Sequence, residues 1–379
     1  MIYLLFWGSL ILLLYIYVGY PATLLLLSRL CKKPLHPAPQ EPFVTILIAA
    51  HNEERALRAT IANKLAQDYP REKMEIIVIS DGSTDQTDTI VKEFQAENVR
   101  LIRQEPRQGK TAALNLAIPQ THGEIIIFSD ANSLYRPDAL KNLVPCFSDP
   151  TVGYATGKMV YVDKEESLVG DGCSAYMKYE NWLRAQETAI GSIVGVDGGI
   201  DAVRKGLYQA MNPDQLPDFV LPLNVMRQGY RVIYVPEAVL MEETLTSAGS
   251  EYRMRVRVAL RAFWALRDMK SLLNPWRHGI FAWQLLSHKV LRYTAFLPLT
   301  LAYGANVLLL DRGLVYLLIF LLQNTFYGCA FLGATIKSGK RNKIIYLCWY
   351  FSLMNYAAAI AFIKFLRGKK QSTWTPRLG

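Results

Sequence analysis

Length, composition and charge limit the classes of protein to which this chain can belong. Its 379 residues suffice for one sizeable domain plus further elements. A content of 51% apolar and 20% charged residues indicates that part of the chain lies in a membrane and part in water. Five scattered cysteines without a CxxC pair argue against a disulfide framework or a cysteine zinc site, and for a reducing, cytosolic setting. The net charge of +10 comes without a zinc-finger, RNP or helix-turn-helix pattern, which argues against a nucleic-acid partner.

The chain begins with a long uncharged stretch. Residues 2–28 carry no charged side chain, and they exceed the about 20 residues that a helix needs to cross the hydrocarbon core. A cleaved signal peptide is the alternative, but here the positive charges follow the apolar run at Arg29, Lys32 and Lys33. We therefore predict a transmembrane anchor at 1–28, a proline-rich linker at 29–42 and a cytosolic continuation of the chain.

Short apolar runs alternate with polar helical patterns in the next part of the chain. The predicted strands are 43–50, 74–80, 99–103 and 124–130, and the predicted helices are 53–67, 84–96 and 111–117. This alternation indicates an α/β layer with a mainly parallel sheet, within a catalytic domain that we place at 43–248. Ligands of such sheets bind outside the carboxyl ends of the strands, so the residues that follow each strand are the candidate site residues.

The remaining sequence is basic and aromatic at first and then apolar. Residues 249–290 mix arginine with tryptophan, tyrosine and phenylalanine, which is typical of amphipathic helices that lie in the membrane interface. The apolar stretches 293–310, 314–336 and 344–366 each reach spanning length, the first only just. Three spans would place the C-terminus outside, whereas the basic tail at 367–379 favours the inside. We therefore predict two to three transmembrane helices in residues 291–366.

Four motifs occur in order within the predicted α/β region. They are Ala50-His51-Asn52-Glu53-Glu54 after the first strand, Asp81-Gly82-Ser83-Thr84-Asp85 after the second, Gly109-Lys110-Thr111-Ala112-Ala113-Leu114-Asn115, and Asp130-Ala131-Asn132 after the fourth. Together they resemble glycosyltransferase family 2, of the GT-A type, whose members show A-x-N-E-E, D-G-S-T-D, G-K-x-x-A-L-N and D-x-D at matching spacing. The resemblance covers about residues 43–290 and implies a Rossmann-like GT-A catalytic domain with transmembrane and interfacial helices.

The resemblance also implies a binding site for a nucleotide-sugar donor. The residues that would form it are Ala50, His51, Glu53, Asp81, Lys110, Asp130, Ala131 and Asn132. Asp81 would accept from a nucleobase N–H, although the same motif also suits a turn followed by a helix N-cap. Lys110 would lie near the diphosphate at a helix start, and a solvated surface lysine is the alternative.

Asp130 and Asn132 offer hard oxygen ligands one residue apart. Mg²⁺ and Mn²⁺ prefer such ligands, completed by phosphate oxygens and water, so we expect one of these ions as cofactor. Family members often have a second Asp where this chain has Asn132, and the missing charge predicts weak metal binding without the donor. An Asp-Asn loop that hydrogen-bonds to itself is the alternative.

The later sequence resembles the acceptor half of the same family. Gly199 and Arg204, in Gly198-Gly199 and Ala202-Val203-Arg204, are expected to contact acceptor or diphosphate, and Asp218 is expected to be the catalytic base. A helix cap is the alternative role for Asp218, while Asp214, one helical turn earlier, and Asp197 are the next candidates for the base. Relatives that make polymers carry Q-x-x-R-W near residues 254–258, but only Arg257 is kept here. Arg257 and Arg261 would contact diphosphate or lipid, unless they are ordinary interfacial arginines.

These features predict a membrane-bound inverting glycosyltransferase. It would move a sugar from a nucleoside diphosphate donor, with UDP as the expected nucleotide, to a lipid-linked or saccharide acceptor near the bilayer. A processive polysaccharide synthase of the cellulose or hyaluronan type and a nucleotide-binding scaffold without catalysis remain as alternatives. We expect an integral protein of the cell's inner (plasma) membrane with its catalytic domain in the cytosol.

Overall fold

The computed structural model describes residues 1–162, 168–243, 248–335 and 343–371. Eight strands occur in these residues and form one sheet. They are β1 (Val44–Ala50), β2 (Met74–Asp81), β3 (Val99–Gln104), β4 (Ile125–Asp130), β5 (Leu134–Tyr135), β6 (Val152–Val162), β7 (Asp201–Arg204) and β8 (Arg231–Glu243). The four strands predicted from the sequence are confirmed to within one residue at each end.

The described residues also contain fifteen α-helices. They are α1 (Ile2–Leu14), α2 (Tyr20–Leu30), α3 (Leu57–Leu65), α4 (Thr87–Glu93), α5 (Lys110–Ala117), α6 (Ala139–Leu143), α7 (Leu168–Ile190), α8 (Pro217–Arg227), α9 (Ala248–Asp268), α10 (Pro275–His278), α11 (Ile280–Gln284), α12 (Leu291–Tyr293), α13 (Phe296–Val307), α14 (Leu314–Thr335) and α15 (Lys343–Leu366). The helices α3 and α4 are shorter than predicted at both ends. Their first predicted turns are instead the polar loops that follow β1 and β2.

The sheet has two halves with different strand directions. Its order is β3-β2-β1-β4-β7-β6-β8-β5. Strands β1 to β4 are all parallel to their neighbours among these four, as the sequence predicts. Strand β7 then runs antiparallel to both β4 and β6, whereas β6 and β8 are parallel. The α/β class is confirmed, and four of the seven strand pairs are parallel. The antiparallel pairs all involve β5 or β7, which the sequence did not predict.

Strands β1 and β2 lie in the centre of the parallel half and are buried at every position. Their near-continuous runs of Ile, Val, Leu and Ala are what a strand covered on both faces requires. The parallel register aligns Ala50 of β1 with Ser80 of β2, and Ala49 with Asp130 of β4. The carboxyl ends of the three strands therefore end at one edge, where the motif residues begin.

The chain divides into two compact units. One consists of residues 31–162, 184–243 and 370–379 and contains the sheet, while the other consists of residues 1–30, 163–183 and 244–369. The boundaries at 43–248 for the catalytic domain stay a prediction. We call the unit with the sheet the catalytic unit and the other the helical unit. Residues 372–379 of the predicted basic tail lie outside the described residues.

The predicted linker begins with the last two residues of α2, and from Cys31 to Pro42 it has no regular secondary structure and is mostly exposed. The Arg231 guanidinium donates to the carbonyl of Lys33 at 3.1 Å, and the Tyr69 hydroxyl donates to the carbonyl of Pro42 at 2.5 Å. The backbone N–H of Lys33 donates to Ala189 O at 2.7 Å. These contacts tie the linker to the unit at both of its ends.

Within the helical unit, three helices are long and apolar enough to cross a membrane. The first extends over Ile2–Leu30 through a π-helical turn at Tyr15–Gly19, and the others are α14 and α15. Helix α13, from the weakest predicted span, is too short, so the described residues hold two C-terminal candidate spans. The amphipathic α9 packs Val256, Leu260 and Phe263 against Ala357 and Ala361 of α15. Its apolar face therefore covers a candidate span.

Candidate active site

The loops that follow β1 and β2 bind each other. Asn52, in a left-handed conformation with φ 55°, accepts a hydrogen bond from the Thr84 N–H at 2.8 Å through its side-chain oxygen. The N–H of Glu53 donates to the Thr87 hydroxyl at 2.9 Å. Helix α4 begins at Thr87, so neither Ser83 nor Thr84 caps it. The first two motifs thus form one double loop at the edge of the sheet.

Asp81 lies at the end of β2 with a fully buried side chain. Its carboxylate accepts hydrogen bonds from the Gln104 amide at 2.5 Å, from the Gln108 N–H at 2.8 Å and from the Gly109 N–H at 2.9 Å. His51 Nδ1 donates to the Asp81 carbonyl at 2.7 Å. In this structure the carboxylate therefore holds the loop that leads into α5, rather than standing open towards a base.

Lys110 is the first residue of α5 and joins two carboxylates. Its Nζ lies 2.7 Å from Asp130 Oδ1 and 3.3 Å from Asp218 Oδ1. Burial opposes the charge on Lys110, but Asp130 and Asp218 outweigh it and raise the pKa of Lys110 above its ordinary value. The lysine is thus no solvated surface residue, and it connects the third motif with the fourth and with α8.

Helix α3 holds the loop that carries Asp130 and Asn132. The Thr60 hydroxyl donates to Ala131 O at 2.7 Å, and Lys64 Nζ donates to Ser133 O at 2.6 Å. The side chain of Asn63 donates to Tyr135 O and accepts from its N–H, at 2.9 and 2.7 Å. These α3 residues were not singled out from the sequence. Their three- and four-residue spacing, which marks one helix face, is the signal that could have found them.

Helix α5 holds the segment that leads to Asp218. Asn115, the last residue of the third motif, donates to Met211 O at 2.6 Å and accepts from the Tyr208 hydroxyl at 2.8 Å. The Thr111 hydroxyl donates to Gln215 O at 2.8 Å. This explains physically why a polar residue stands at each of these positions of α5.

Asp218 lies in the first turn of α8, which begins at Pro217 after the N-cap residue Leu216. It is therefore not the helix cap, although its charge suits the positive end of the helix. Asp214 precedes the helix rather than lying one turn earlier on it, and it pairs with Lys370. Asp197 forms a largely buried ion pair with Arg184. Each of the two alternative candidates for the base thus forms an ion pair with a cation other than Lys110.

Two glycines let the chain pass close to the site. Gly198 and Gly199 both have positive φ, at 78° and 83°. A Cβ on Gly198 would lie 2.9 Å from the Asp218 carboxylate, and one on Gly199 would lie 3.2 Å from Ser133 Oγ. Glycine at position 198 therefore makes room for the carboxylate that Lys110 contacts.

Asp201 is a buried carboxyl that the sequence reasoning did not select. It pairs with Phe128 of β4 and Thr156 of β6, which places its side chain on the sheet face of Asp130. The hydroxyls of Thr156 and Tyr154 lie near it, but neither of its oxygens has a hydrogen bond of good geometry among the described residues. Burial first, and then the charge of Asp218, raise the pKa of Asp201 to about 7.

One predicted contact residue, Arg204, lies away from this sheet edge, and two others belong to the other compact unit. Arg204 was expected to touch acceptor or diphosphate, but it pairs with Ile125 at the start of β4, at the opposite end of that strand from Asp130. Its guanidinium donates to the carbonyls of Val152, Phe147 and Asp149, which corrects the expectation. Arg257 and Arg261 lie on α9 of the helical unit, where Arg261 is buried.

The remaining predicted donor residues lie at the same sheet edge. Ala50 ends β1 and is fully buried, and Ala131 is buried directly after β4. Asn132 follows as a half-buried residue. In the part of the chain that the structure describes, no group of three or more His, Cys, Asp or Glu side chains is arranged to hold a metal. A metal here would thus have few protein ligands.

Comparison with models of protein families shows to which family the domain with the four motifs belongs. Residues 45–191 match the family model described as Glycosyl transferase family 2. The chain therefore carries a family 2 glycosyltransferase domain. All four sequence motifs lie in this domain, whereas Asp201 and Asp218 follow its last matched residue.

Two curated relatives of this chain have names that state what they synthesise. The chain is 29% identical over 272 residues to the beta-monoglucosyldiacylglycerol synthase of Nostoc sp. strain PCC 7120, in an alignment that covers 68% of this chain and 58% of the relative. It is 25% identical over 363 residues to the poly-beta-1,6-N-acetyl-D-glucosamine synthase of Staphylococcus epidermidis, covering 88% and 86%. The chain thus spans little more than half the length of the first of these relatives.

A solved structure shares the fold. The mannosyltransferase PcManGT from Pyrobaculum calidifontis, solved in complex with GDP-Man and Mn²⁺, matches with a TM-score of 0.74 and 24% identity. The match covers 96% of this chain and 99% of that one. It shows that the family 2 domain has the GT-A-type fold that the motifs imply.

Proposed function

We propose that this protein is a membrane-bound inverting glycosyltransferase that moves a sugar from a nucleoside diphosphate donor to a lipid-linked or membrane-proximal acceptor. One observation carries the proposal. Lys110 Nζ contacts both Asp130, at the end of a parallel strand, and Asp218, on the helix that follows β7. A donor-side and an acceptor-side carboxylate thus meet at the sheet edge where ligands of α/β sheets bind.

In this proposal Asp218 is the general base. It takes the proton from the acceptor hydroxyl while the oxygen attacks the anomeric carbon, and the bond from that carbon to the diphosphate oxygen breaks. A single displacement of this kind inverts the anomeric configuration. Help from one positioned base contributes roughly 10²–10⁴-fold to such a step. Lys110, with its charge stabilised by two carboxylates, balances negative charge on the diphosphate as it leaves.

The residues present fit a divalent metal, Mg²⁺ or Mn²⁺. Asp130 Oδ1 already contacts a cation, the Lys110 ammonium, so this carboxylate lies where positive charge is stabilised. Asn132 adds an amide oxygen in the same loop, and a metal bound by one or two protein oxygens is usual when substrate phosphates complete its shell. Such an ion supplies Lewis-acid stabilisation of the leaving diphosphate.

The acceptor is proposed to lie at the membrane. Three helices of the described residues have spanning length and composition, and the named relatives include a glycolipid synthase. Arg29 in the last turn of the first of these helices, and Lys32 and Lys33 just after it, favour a cytosolic catalytic unit. Two further spans would return the chain to that side, which agrees with a basic tail in the cytosol.

Polymer synthesis is the second candidate function. The relative that makes poly-beta-1,6-N-acetyl-D-glucosamine aligns with 88% of this chain. Incubation with labelled donor and native lipids separates the two candidates by product length. A ladder of products supports the synthase, and one added sugar supports the single transferase.

The test of the proposed function uses the full chain in lipid nanodiscs. Nucleotide sugars, with UDP-linked donors first and GDP-linked donors next, are screened with Mn²⁺ for a rise in melting temperature, since a ligand of the native state stabilises by RT ln(1 + [L]/Kd). The stabilising donor is then incubated with membrane lipids, and release of nucleoside diphosphate is measured. Donor binding without metal-dependent release would favour a scaffold, and no stabilisation by any donor would refute the proposal.

A further inference from the structure

The Lys110 ammonium lies where a bound cation is expected. It is 2.7 Å from Asp130 Oδ1, and its side chain is 19% exposed. The same ammonium is 3.3 Å from Asp218 Oδ1. The end of β4 and the loop that follows it supply one carboxylate, that of Asp130, because the second ligand position holds the neutral Asn132. While Lys110 contacts Asp130, its positive charge offsets part of the negative charge there and repels a second cation at the same carboxylate.

We propose that Lys110 takes the place of the divalent cation on Asp130 in the donor-free enzyme, so that metal binds tightly only when nucleoside diphosphate draws the ammonium away. This inference rests on the proposed function, because it concerns the same donor site. It makes Lys110 the residue that couples the binding of the metal to the binding of the nucleoside diphosphate. Whatever the nucleotide does to metal affinity, the metal must do to nucleotide affinity by the same factor.

In this proposal Asp201 is the carboxylate to which the Lys110 ammonium moves when it leaves Asp130. Its side chain lies on the same face of the sheet as Asp130, and the charge of Lys110 acts on it. Neither of its oxygens has a hydrogen bond of good geometry among the residues described. A buried polar group without a partner is costly, and contact with the displaced ammonium would remove that cost.

The experiment measures Mn²⁺ binding by the loss of the free-ion EPR signal, using full-length protein in nanodiscs. Mn²⁺ is titrated alone and then with saturating UDP or GDP. We compare the wild type with Lys110→Met, which removes the charge, and Lys110→Arg, which keeps it. Lys141→Met is the matched control, because Lys141 forms an exposed ion pair with Asp68 and its loss changes net charge equally. Melting curves establish that each variant is folded.

Lys110→Met is expected to bind Mn²⁺ without nucleotide at least about tenfold more tightly than the wild type, because the competing cation at Asp130 is gone. Lys110→Arg and Lys141→Met should remain close to the wild type. The tightening of Mn²⁺ binding by nucleotide should shrink in Lys110→Met. The gain should also disappear in the double variant Lys110→Met with Asp130→Asn, which locates the competition at that carboxylate.

Each contrary result has a distinct meaning. If Lys110→Met binds Mn²⁺ alone no better than the wild type, while nucleotide still tightens binding in both, the competition is refuted and the proposed function stands. If the gain also occurs in Lys141→Met, it comes from net charge and the inference fails. If the wild type binds no Mn²⁺ with either nucleotide, the metal-dependent function itself is refuted. Should Lys110→Met not fold, Lys110→Gln replaces it in the same comparison.

Discussion

The two halves of the catalytic unit assemble their site residues in different ways. In the first half, β1 to β4, the polar residues follow parallel strands directly, so the register alone brings the loops after Ala50, Asp81 and Asp130 to one edge. In the second half, β5 to β8, Asp201 reaches the site through the antiparallel pairing of β7 with β4 and β6, and Gly198 lies in the segment just before β7. The local sequence therefore determines most of the arrangement of site residues in the first half and little of it in the second.

The most damaging change is expected in the first half. Asp130→Ala should abolish turnover and metal-dependent donor binding, because it removes the carboxylate proposed to hold the metal and the closest partner of Lys110. Nucleoside diphosphate release and Mn²⁺-dependent thermal stabilisation measure the two losses. Asp138→Ala, in an exposed ion pair with Arg136, is the control. Normal turnover of Asp130→Ala in the presence of chelator would refute the metal assignment.

The next largest effect is expected in the second half. Asp218→Asn should fold, bind nucleotide sugar and metal, and transfer at least about a hundredfold more slowly, because an amide cannot accept the proton. Initial rates at saturating donor, together with donor Kd, measure this separation. Asp214→Asn is the matched control, since Asp214 precedes α8 and pairs with Lys370. Near-normal transfer by Asp218→Asn would exclude it as the base.

The success of the sequence-based prediction follows the same division between the two halves. Strands β1, β2 and β4 are near-continuous apolar runs and β3 is a mixed one, and polar residues follow each of them, so their existence, their direction and the edge of the site could be predicted. The hydrogen bonds of Asp81 could not, because its partners Gln108 and Gly109 belong to a loop whose path depends on tertiary structure, and its partner Gln104 is brought close only by the pairing of β3 with β2. Asp201 was missed for a related reason. It lies inside a short strand, and only its pairing with Phe128 and Thr156 places it beside the site.

A smaller effect should appear in the pH dependence of stability. Asp201 has a pKa of about 7 in the folded protein, above the roughly 3.9 of an unfolded aspartate, so the folded state binds this proton more tightly. Stability should therefore fall as pH rises from about 4 to about 7, and Asp201→Asn should remove that part of the slope and raise the melting temperature at pH 8.

Asp149→Asn gives the opposite control for this measurement. Hydrogen bonds from Thr151 lower the pKa of Asp149, so the stability it contributes is present at neutral pH and is lost as pH falls through its folded pKa. Melting temperatures between about pH 2 and about pH 8 cover both windows, since Asp149 changes stability below about pH 4 and Asp201 above it. An unchanged slope in Asp201→Asn would mean that Asp201 does not hold the proton.

The smallest effect on activity is expected for Arg204, which the sequence suggested as a contact for acceptor or diphosphate. Its guanidinium lies at the far end of β4 from Asp130 and donates to three backbone carbonyls, those of Val152, Phe147 and Asp149. Arg204→Met should therefore leave kcat and the donor KM unchanged within about twofold, since no bond to substrate is lost. Its free energy of unfolding should fall by about 1–3 kcal/mol, because buried carbonyls lose their donors.

Arg136→Met, which removes an exposed guanidinium, should change neither quantity. Urea unfolding and steady-state kinetics on the same preparations separate structure from binding. A donor KM raised about tenfold in Arg204→Met, with unchanged stability, would return Arg204 to the binding site. It would also show that the second half contacts the donor through β7. The expected result instead means that β7 contributes to the site only through its other end. There Asp201 lies on the same sheet face as Asp130, and the charge of Lys110 acts on it.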